Sequence, residues 1–280
     1  MKSAERGETV VTAASFGGRL RWWRERRGLS QLDLAVAAET TQRHVSFLES
    51  GRSAPSREMI LRLAAVLDLP LRQQNALSLA AGYAPVWRES ALSAPELARV
   101  NAALDHMLAQ QEPYPAFVVD RRWTLLRANA GAARLTEFLA GPPAATPVEP
   151  VNLALALVSP AGLRPFIVNW EEVVRHFVRG VRADAAADGT PETAALLERL
   201  LAVPGAPALS RTLPPDDPQS PVLVIHFRRD ETSLRLFTTL ATLGTPQDVT
   251  LQEIRIECFF PMDNATTRAF QGWAATEKPS

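Results

Sequence analysis

Two side chains that can bond the edges of DNA bases stand next to each other at Gln42 and Arg43. A guanidinium can bond guanine O6 and N7 together, and a carboxamide can bond adenine N6 and N7 together. If Val45 and Leu48 point into a core, helical periodicity turns another set of side chains outward. That set is Arg43, Ser46, Phe47 and Ser50, with Gln42 near the start of the helix. A helix with such a face fits the major groove, where Phe47 would meet a thymine methyl group.

Further polar residues close to this segment can hold the sugar–phosphate backbone. Arg26, Gln31 and Arg52 are candidates for phosphate contacts, which fix the position of a protein without reading sequence. An isolated exposed arginine is usually only solvated, so the prediction depends on the ordered combination. The full candidate surface is Arg26, Gln31, Thr41, Gln42, Arg43, Ser46, Phe47 and Arg52.

Five short helices with tight turns are predicted to position this surface. The first runs from Phe16 to Arg27 and is stopped by Gly28. Ser30 is a good N-cap for the second, and Thr40 or Thr41 caps the third. The second helix is predicted at 31–38, and the third ends at about 49. The fourth runs from 56 to 67, and the fifth covers about 71–81. Residues 16–82 therefore form one small all-α domain behind a flexible tail at 1–15.

The stretch GLSQLDLAVAAETTQRHVSFLESGRSAPS closely resembles the Xre family of helix-turn-helix domains. The family's tight-turn glycine between the second and third helices is missing, and Glu39 occupies that region. The resemblance implies a five-helix bundle that binds a double-stranded DNA operator. Because such domains read two half-sites, it also implies a homodimer and a roughly palindromic operator.

Composition and charge narrow the remaining possibilities. Residues 1–82 carry 12 basic and 8 acidic side chains and the rest carry 18 and 22, which suits a nucleic-acid module joined to another domain. Cys258 is the only cysteine, so an internal disulfide is impossible, and the four histidines lack metal-ligand spacing. No apolar run is long enough to span a membrane, and the first 15 residues lack a signal peptide's apolar stretch. We expect a cytoplasmic protein without a metal or resident cofactor.

The back of the chain changes from a purely helical pattern to a mixed one. A connection at 83–94 and a helix at 95–111 make up a predicted linker, 83–112. A domain at 113–265 then begins with strands at 116–119 and 123–127, continues with helices, and ends with strands at 222–228, 233–243 and 250–260. Strands on either side of a helical middle predict an α+β domain with an antiparallel sheet. Residues 266–280 are expected to form a C-terminal tail.

Three stretches of this domain resemble the ligand-binding domain of MmyB-like transcription regulators, a PAS-like fold. They are YPAFVVDRRWTLLRANAGAARL at 114–135, SPAGLRPFIVNWEEVVRHFVRGVR at 159–182 and TLGTPQDVTLQEIRIECFFP at 242–261. The resemblance implies that the domain binds a small apolar ligand, with a long-chain fatty acid such as myristate the expected kind. The implied function is a one-component transcription regulator.

The apolar faces of the predicted strands must be covered by helices. We expect Ile254, Ile256 and Cys258 on the covered face, and Glu253, Arg255 and Glu257 on the wet face. A cavity between sheet and helices would be lined by Phe117, Trp123, Leu125, Phe166, Trp170, Phe177, Leu236 and Ile256. The alternative is a solid core, which is the usual fate of such residues.

A ligand carboxylate entering such a cavity needs a cation or a hydrogen-bond donor at the mouth. The candidates are Asn129, Arg164, Asn169, His176 and Arg122, and the sequence does not choose among them. Asn129 has an alternative role as the N-cap of the helix that follows it.

Enzymatic function is not expected, because G-x-S-x-G, H-E-x-x-H, G-x-G-x-x-G and phosphate-loop motifs are all missing. Two rival interpretations remain. In one, the second domain is a ligand-free dimerisation or protein-interaction module. In the other, DNA binding is not regulated at all.

Overall fold

The computed structural model describes residues 15–142, 150–206, 208 and 222–276, and it divides into two compact units. The first unit runs to Glu89 and also includes Pro246–Gln252, and the second comprises Ser90–Thr245 and the chain from Glu253 onward. The predictions for a tail before Ser15, for most of the loops at 140–150 and 204–221, and for residues 277–280 lie outside the described residues.

The first unit contains the five predicted helices. They are α1 (Phe16–Arg26), α2 (Gln31–Ala37), α3 (Gln42–Glu49), α4 (Arg57–Val66) and α5 (Leu71–Ala80). A hydroxyl caps each of the first four, from Ser15, Ser30, Thr41 and Ser56. At α2 the Asp33 carboxylate also accepts from the Ser30 amide, which completes a capping box. The all-α prediction for this part of the chain is confirmed.

The core of the first unit holds α3 tightly against α1. Leu20, Val45 and Leu48 are fully buried in it. A Cβ atom on Gly17 would lie 2.4 Å from the Glu49 carbonyl oxygen, so the backbones of α1 and α3 touch where only glycine fits. Helix α3 is thereby fixed with one side buried and the other available.

Glu39 forms the turn between α2 and α3 with a backbone φ of 52°. This left-handed conformation is the one that glycine supplies without strain, and a residue with a Cβ adopts it at a cost. The turn geometry of the helix-turn-helix is therefore kept although the expected glycine is missing.

The linker starts later than predicted, because the segment 83–89 is hydrogen-bonded to α5. Asn75 Oδ1 accepts from the amides of Val86 and Trp87, each at 2.9 Å. The Pro246–Gln252 segment completes this unit: Gln252 Oε1 accepts from the Leu71 amide at 2.8 Å, at the start of α5, where Pro70 makes no side-chain cap.

The second unit is an α+β domain, as predicted. Its helices are α6 (Ala98–Gln110), α7 (Ala130–Ala140), α8 (Leu153–Val158), α9 (Trp170–Asp188), α10 (Pro191–Leu201) and α12 (Asn264–Thr276). Helix α11 (Val249–Glu253) belongs to the first unit except for its last residue. Its strands are β1 (Ala116–Val119), β2 (Leu125–Ala128), β3 (Val224–Arg229), β4 (Thr232–Thr242) and β5 (Arg255–Pro261). They form one antiparallel sheet in the order β2-β1-β5-β4-β3.

The assignment of β5 residues to the two sheet faces is wrong in the prediction. Phe117 on β1 pairs with Glu257, and Val118 pairs with Ile256. Side chains alternate along a strand, so Glu257 shares the face of Phe117 and Ile256 lies on the opposite face. The Phe117 face is the one that α9 covers, since Phe177 of α9 belongs to the same core cluster. Each face of β5 has a buried side chain, Ile256 on one and Glu257 on the other, which is why alternation alone misassigned them.

Two elements near the C-terminus also differ from prediction. Residues 250–253, expected in the last strand, belong to the short α11 (Val249–Glu253), and β5 begins at Arg255. Most of the described part of the expected tail 266–280 is helix α12, whose Phe270 is fully buried in the core. Its small and polar composition hid this helix, because Phe270 and Trp273 are the large apolar side chains that it carries.

Candidate nucleic-acid interface and ligand-binding residues

Helix α3 presents the predicted set of polar side chains to solvent. Val45 and Leu48 are fully buried, while Thr41, Gln42 and Arg43 are exposed. Thr41 also has a structural task, because its hydroxyl oxygen accepts from the His44 amide at 3.1 Å and caps the helix. The structure therefore brings the candidate base-reading residues to the free face of α3.

Phe47 stands half-buried on that face between two arginines. The Arg43 guanidinium lies 5.1 Å from the centre of the Phe47 ring, and the Arg52 guanidinium lies 6.0 Å from it. A cation is attracted to an aromatic face at such distances. The Phe47 ring thus lies close to two guanidinium groups, one from α3 and one from the turn after it, and both belong to the same surface.

The other residues predicted to contact DNA differ in exposure and in the bonds that they form within the protein. Ser46 is half-buried, and its carbonyl accepts from the Ser50 hydroxyl at 2.8 Å. Gln31 is half-buried as well, and its Nε2 donates to Glu49 Oε2 at 2.8 Å, so this side chain is partly engaged inside the protein. The guanidinium of Arg26 stacks on Trp22 at 4.6 Å.

Sequence reasoning missed the residue pair that anchors α3. Arg24 on α1 donates from Nε to Glu49 Oε1 at 2.6 Å and from Nη2 to Oε2 at 3.0 Å. Both side chains are buried, and Arg24 also donates to the Leu29 carbonyl at 2.8 Å. The available signal was a charged residue on the core side of each helix, which calls for a partner of opposite charge.

In the second unit, most of the predicted cavity-lining residues lie together in one packed core. Phe117 and Phe259 meet edge-on with ring centres 5.6 Å apart, and Trp123 and Phe177 meet at 4.9 Å. Phe117, Trp123, Phe177 and Leu236 are buried in this core, and Leu125, Phe166 and Trp170 are partly buried and pack against it. Ile256 is buried on the opposite face of the sheet.

Asn129 was a candidate for holding a ligand head group, but both ends of its amide form hydrogen bonds with the backbone. Its Oδ1 accepts from the amides of Ala132 and Ala116, both at 2.9 Å. Its Nδ2 donates to the carbonyls of Tyr114 at 2.8 Å and Leu108 at 3.3 Å. The side chain both caps α7 and pins the start of β1.

Two further head-group candidates are also engaged by the backbone. Asn169 joins α9 to β3, since its Nδ2 donates to the Val224 carbonyl at 2.6 Å and its Oδ1 accepts from the His226 amide at 3.0 Å. Arg164 lies 3.6 Å from the centre of the Trp170 ring and donates to the Pro204 carbonyl at 2.8 Å.

The last two candidates differ in their access to solvent. His176 lies on α9 beside Phe177, and burial together with the nearby charge of Arg179 lowers its pKa, which favours the uncharged ring. Arg122 is exposed on the turn between β1 and β2 and lines a surface groove of about 610 Å³.

Glu257 is a functional candidate that the sequence did not suggest. It is only 3% exposed, and burial raises its pKa to about 7, an effect that a hydrogen bond with Thr238 partly offsets. Its Oε2 has no hydrogen-bond partner among the described residues. A carboxyl in this state exchanges its proton near neutral pH.

Metal-ligand clusters and membrane-spanning helices are both missing from the described residues. Within these ranges, no group of three or more His, Cys, Asp or Glu side chains is placed to hold a metal ion. No helix in the described part of the chain is long and apolar enough to cross a membrane.

Each of the two units is matched by a family model of its own. Residues 20–74 match a family model described as helix-turn-helix, and residues 100–272 match one described as the MmyB-like transcription regulator ligand binding domain. No curated protein matches the sequence. A solved structure titled "Structure of an RNA-binding Light-Oxygen-Voltage Receptor" is 12% identical, covers 99% of this chain and 70% of its own, and aligns with a TM-score of 0.30. That score is too low to support an argument.

Proposed function

The chain belongs to the MmyB-like transcription regulators, and from this premise we propose that it is a ligand-controlled DNA-binding regulator acting as a homodimer. The helix-turn-helix unit binds DNA, and the second unit is a ligand-binding domain. In our proposal the operator is roughly palindromic, and a long-chain fatty acid is the ligand. Catalysis forms no part of the proposal, and we propose a cytoplasmic location because the DNA target lies there.

The observation that carries the DNA-binding part is the free face of α3. Gln42 and Arg43 stand exposed at its start, and Phe47 holds Arg43 and Arg52 on the same surface. Planar amide and guanidinium groups at the N-terminal end of a recognition helix are suited to bidentate base contacts. Arg26 and Arg52 are proposed to contact phosphates, which position the helix.

Selection from a random pool of double-stranded DNA by the full-length protein tests this part. We expect enrichment of a two-fold related sequence whose half-sites lie about one helical turn, roughly 34 Å, apart. The Arg43→Ala variant should fail to enrich the same sequence. Enrichment of a single half-site bound by one copy of the chain would contradict the homodimer.

Two observations support the ligand-binding part of the proposal: the match of the second unit to a ligand-binding family, and the apolar face of its sheet, which helices cover. Regulation requires the ligand to bind two conformations of the protein with different affinity. Helix α6 precedes the sheet in the chain, and we propose that its position changes with ligand occupancy.

Native mass spectrometry of the purified protein and thermal shifts with C12–C18 fatty acids test the ligand. We expect a bound mass in that range or a rise in melting temperature that grows with ligand concentration. A mass equal to that of the polypeptide alone, together with no thermal shift, would contradict the proposed fatty acid.

A second candidate function is favoured by the packing of the predicted cavity-lining residues. The edge-on contacts of Phe117 with Phe259 and of Trp123 with Phe177 are those of a solid core. The second unit would then be a ligand-free dimerisation or protein-interaction module. Leu236→Trp separates the alternatives, because it blocks ligand binding if a cavity opens at Leu236 and unfolds the unit if the core is solid.

A further inference from the structure

We propose that the segment 246–252 passes the state of the second unit to the DNA-binding unit, and that Gln252 is the positioning residue through which it does so. The segment lies between β4 and β5 in the chain but belongs to the first unit. This inference rests on the proposed function, because it gives regulated DNA binding a physical route. It names no ligand and does not depend on which molecule the second unit binds.

The first attachment of the segment is at the start of α5. Pro70 precedes this helix and makes no side-chain cap, so the amides of the first turn need acceptors from elsewhere. Gln252 Oε1 supplies one, because it accepts from the amide of the buried Leu71 at 2.8 Å. Each of α1 to α4 is capped by the hydroxyl of the residue before it, whereas α5 uses a residue 181 positions further along the chain.

The second attachment of the segment is a backbone hydrogen bond at Arg88. The Val249 amide donates to the Arg88 carbonyl at 2.8 Å, and the Val249 side chain is fully buried. The stretch before Arg88 is itself bonded to α5, since Asn75 Oδ1 accepts from the amides of Val86 and Trp87. Both attachments of the segment therefore lead to α5.

Within the first unit, hydrogen bonds and close packing connect the start of α5 with α3. Arg27, which follows α1, donates to the carbonyls of Leu67 and Asp68 at 2.8 and 2.9 Å, just before α5. Helix α1 in turn meets the Glu49 carbonyl of α3 at Gly17, where only glycine fits. A displacement at the start of α5 can therefore reach the helix that carries the DNA-binding face through directly bonded neighbours.

In the second unit, ion pairs hold the chain that leaves the segment. Arg121, on the turn between β1 and β2, has its Nε 3.1 Å from Glu253 Oε1 and also pairs with Asp188 at the end of α9. Arg255 donates to both carboxylate oxygens of Asp184 on α9, at 2.6 and 2.7 Å. These side chains are largely buried, and separating a buried pair would leave an unpaired charge. A shift of α9 or of the β1–β2 turn should therefore move Glu253, the residue next after the segment.

The two sets of contacts are joined by a single peptide bond. Gln252 and Glu253 are neighbours in α11, and the Cα atoms of neighbouring residues are only about 3.8 Å apart. A displacement of Glu253 must be followed by Gln252 or must break the bond to the Leu71 amide. This bond thus has two states, formed and broken, and a ligand that favours one conformation of the second unit would favour one of them.

Hydrogen exchange of the full-length protein, followed at the first-turn amides of α5, tests the proposal together with binding to the selected operator. Gln252→Ala removes the acceptor and should speed exchange there about fivefold, the usual weight of one neutral hydrogen bond. It should also weaken operator binding about two- to thirtyfold, the range for changes along a coupling route. Gln252→Glu keeps an oxygen at the Leu71 amide and should keep both properties close to those of the wild type. Gln247→Ala, at an exposed residue of the same segment, is the matched control and should change neither.

Glu253→Ala tests the relay from the second unit. Arg121 keeps its pair with Asp188, so no charge is left without a partner and the second unit should stay folded. The variant should speed exchange at the start of α5 and weaken operator binding, although the changed side chain belongs to the second unit. Glu198→Ala, which removes an exposed carboxylate from α10, is the control and should leave both unchanged.

Four outcomes would count against the proposal, each at a different step. Unchanged exchange in Gln252→Ala would refute the docking of the segment at α5. Faster exchange in Gln252→Ala but not in Glu253→Ala would refute the relay from the second unit. Faster exchange in both variants with wild-type operator affinity would refute the role in DNA binding. Failure of the wild type to enrich any DNA would overturn the proposed function and that role with it, whereas the exchange data alone still decide whether the segment is docked.

Discussion

Arg24 and Glu49 form a buried ion pair with two hydrogen bonds, and it joins α1 to the end of α3. Glu49 also accepts from Gln31 of α2, so one carboxylate collects donors from both neighbouring helices. The free face of α3 owes its orientation to this pair and to the close approach of Gly17.

Replacing Glu49 by alanine should destabilise the first unit by about 3–5 kcal/mol, because the Arg24 charge stays buried without its partner. Hydrogen exchange of the α1 and α3 amides measures the loss. Glu25→Ala is the matched control, since Glu25 is well exposed and meets Arg24 at 3.4 Å; it should cost at most about 1 kcal/mol. Equal effects of the two changes would contradict the anchoring role.

Arg43→Ala should weaken binding to the selected operator by about 1–3 kcal/mol and relax base preference at one position per half-site. Arg52→Ala should instead weaken binding to all sequences and lower the salt dependence by about one phosphate contact. Electrophoretic or fluorescence titration at several salt concentrations distinguishes the two. Loss of base preference in Arg52→Ala alone would reverse the assigned roles.

Glu39→Gly should stabilise the first unit by about 1 kcal/mol, because glycine adopts the positive φ of the turn without strain. Denaturant unfolding measures the gain. Glu39→Ala keeps a Cβ and removes the same exposed carboxylate, which lies 3.9 Å from Arg62, so it should give no gain. Stabilisation by alanine as well would place the effect in the charge rather than in the backbone.

Asn129→Ala should cost the second unit about 3 kcal/mol, because the buried groups that it now bonds lose their partner. Asn129→Asp keeps the oxygen that accepts from two amides but turns a second acceptor toward the Tyr114 and Leu108 carbonyls, so it should be destabilising as well. Thermal unfolding of the full chain measures both. Wild-type stability combined with weaker ligand binding would instead make Asn129 a ligand contact.

Glu257 should make stability depend on pH. Folding raises its pKa from 4.5 to about 7, so the folded state holds this proton more tightly than the unfolded state. Stability therefore falls as pH rises from about 4.5 to 7, and the full penalty, about 3 kcal/mol, applies above pH 7. Glu257→Gln should raise the melting temperature at pH 8 far more than at pH 4.5.

The exposed Glu137→Gln on α7 is the control for this experiment and should keep the wild-type pH profile. A Glu257→Gln variant that is stabilised equally at both pH values would show that titration of this carboxyl is not the cause.

Much of the first unit was predictable from sequence, because its signals are local. Ser30, Thr41 and Ser56 cap the helices they precede, and Val45 and Leu48 fix the buried side of α3 by helical spacing alone. The positive φ of Glu39 was not predictable, since its cause is the packing of α2 and α3 and not the residue.

The second unit shows where local patterns fail. Alternation in β5 separated two faces, but each has a buried side chain, Ile256 on one and Glu257 on the other, so Glu257 was assigned to the wrong side. Helix α12 was missed because only Phe270 and Trp273 in it are large apolar residues, and both pack on the core of the α+β domain.

By itself the sequence determined the fold class of each part, the helices of the first unit and the residues on the free face of α3, because spacing and capping are properties of neighbouring residues. Only the tertiary structure decided which polar groups are already occupied. Asn129 and Asn169 form hydrogen bonds with the backbone, and Arg24 pairs with Glu49. These partners are far apart along the chain, and a hydrogen bond between distant residues exists only once the elements that carry them have packed.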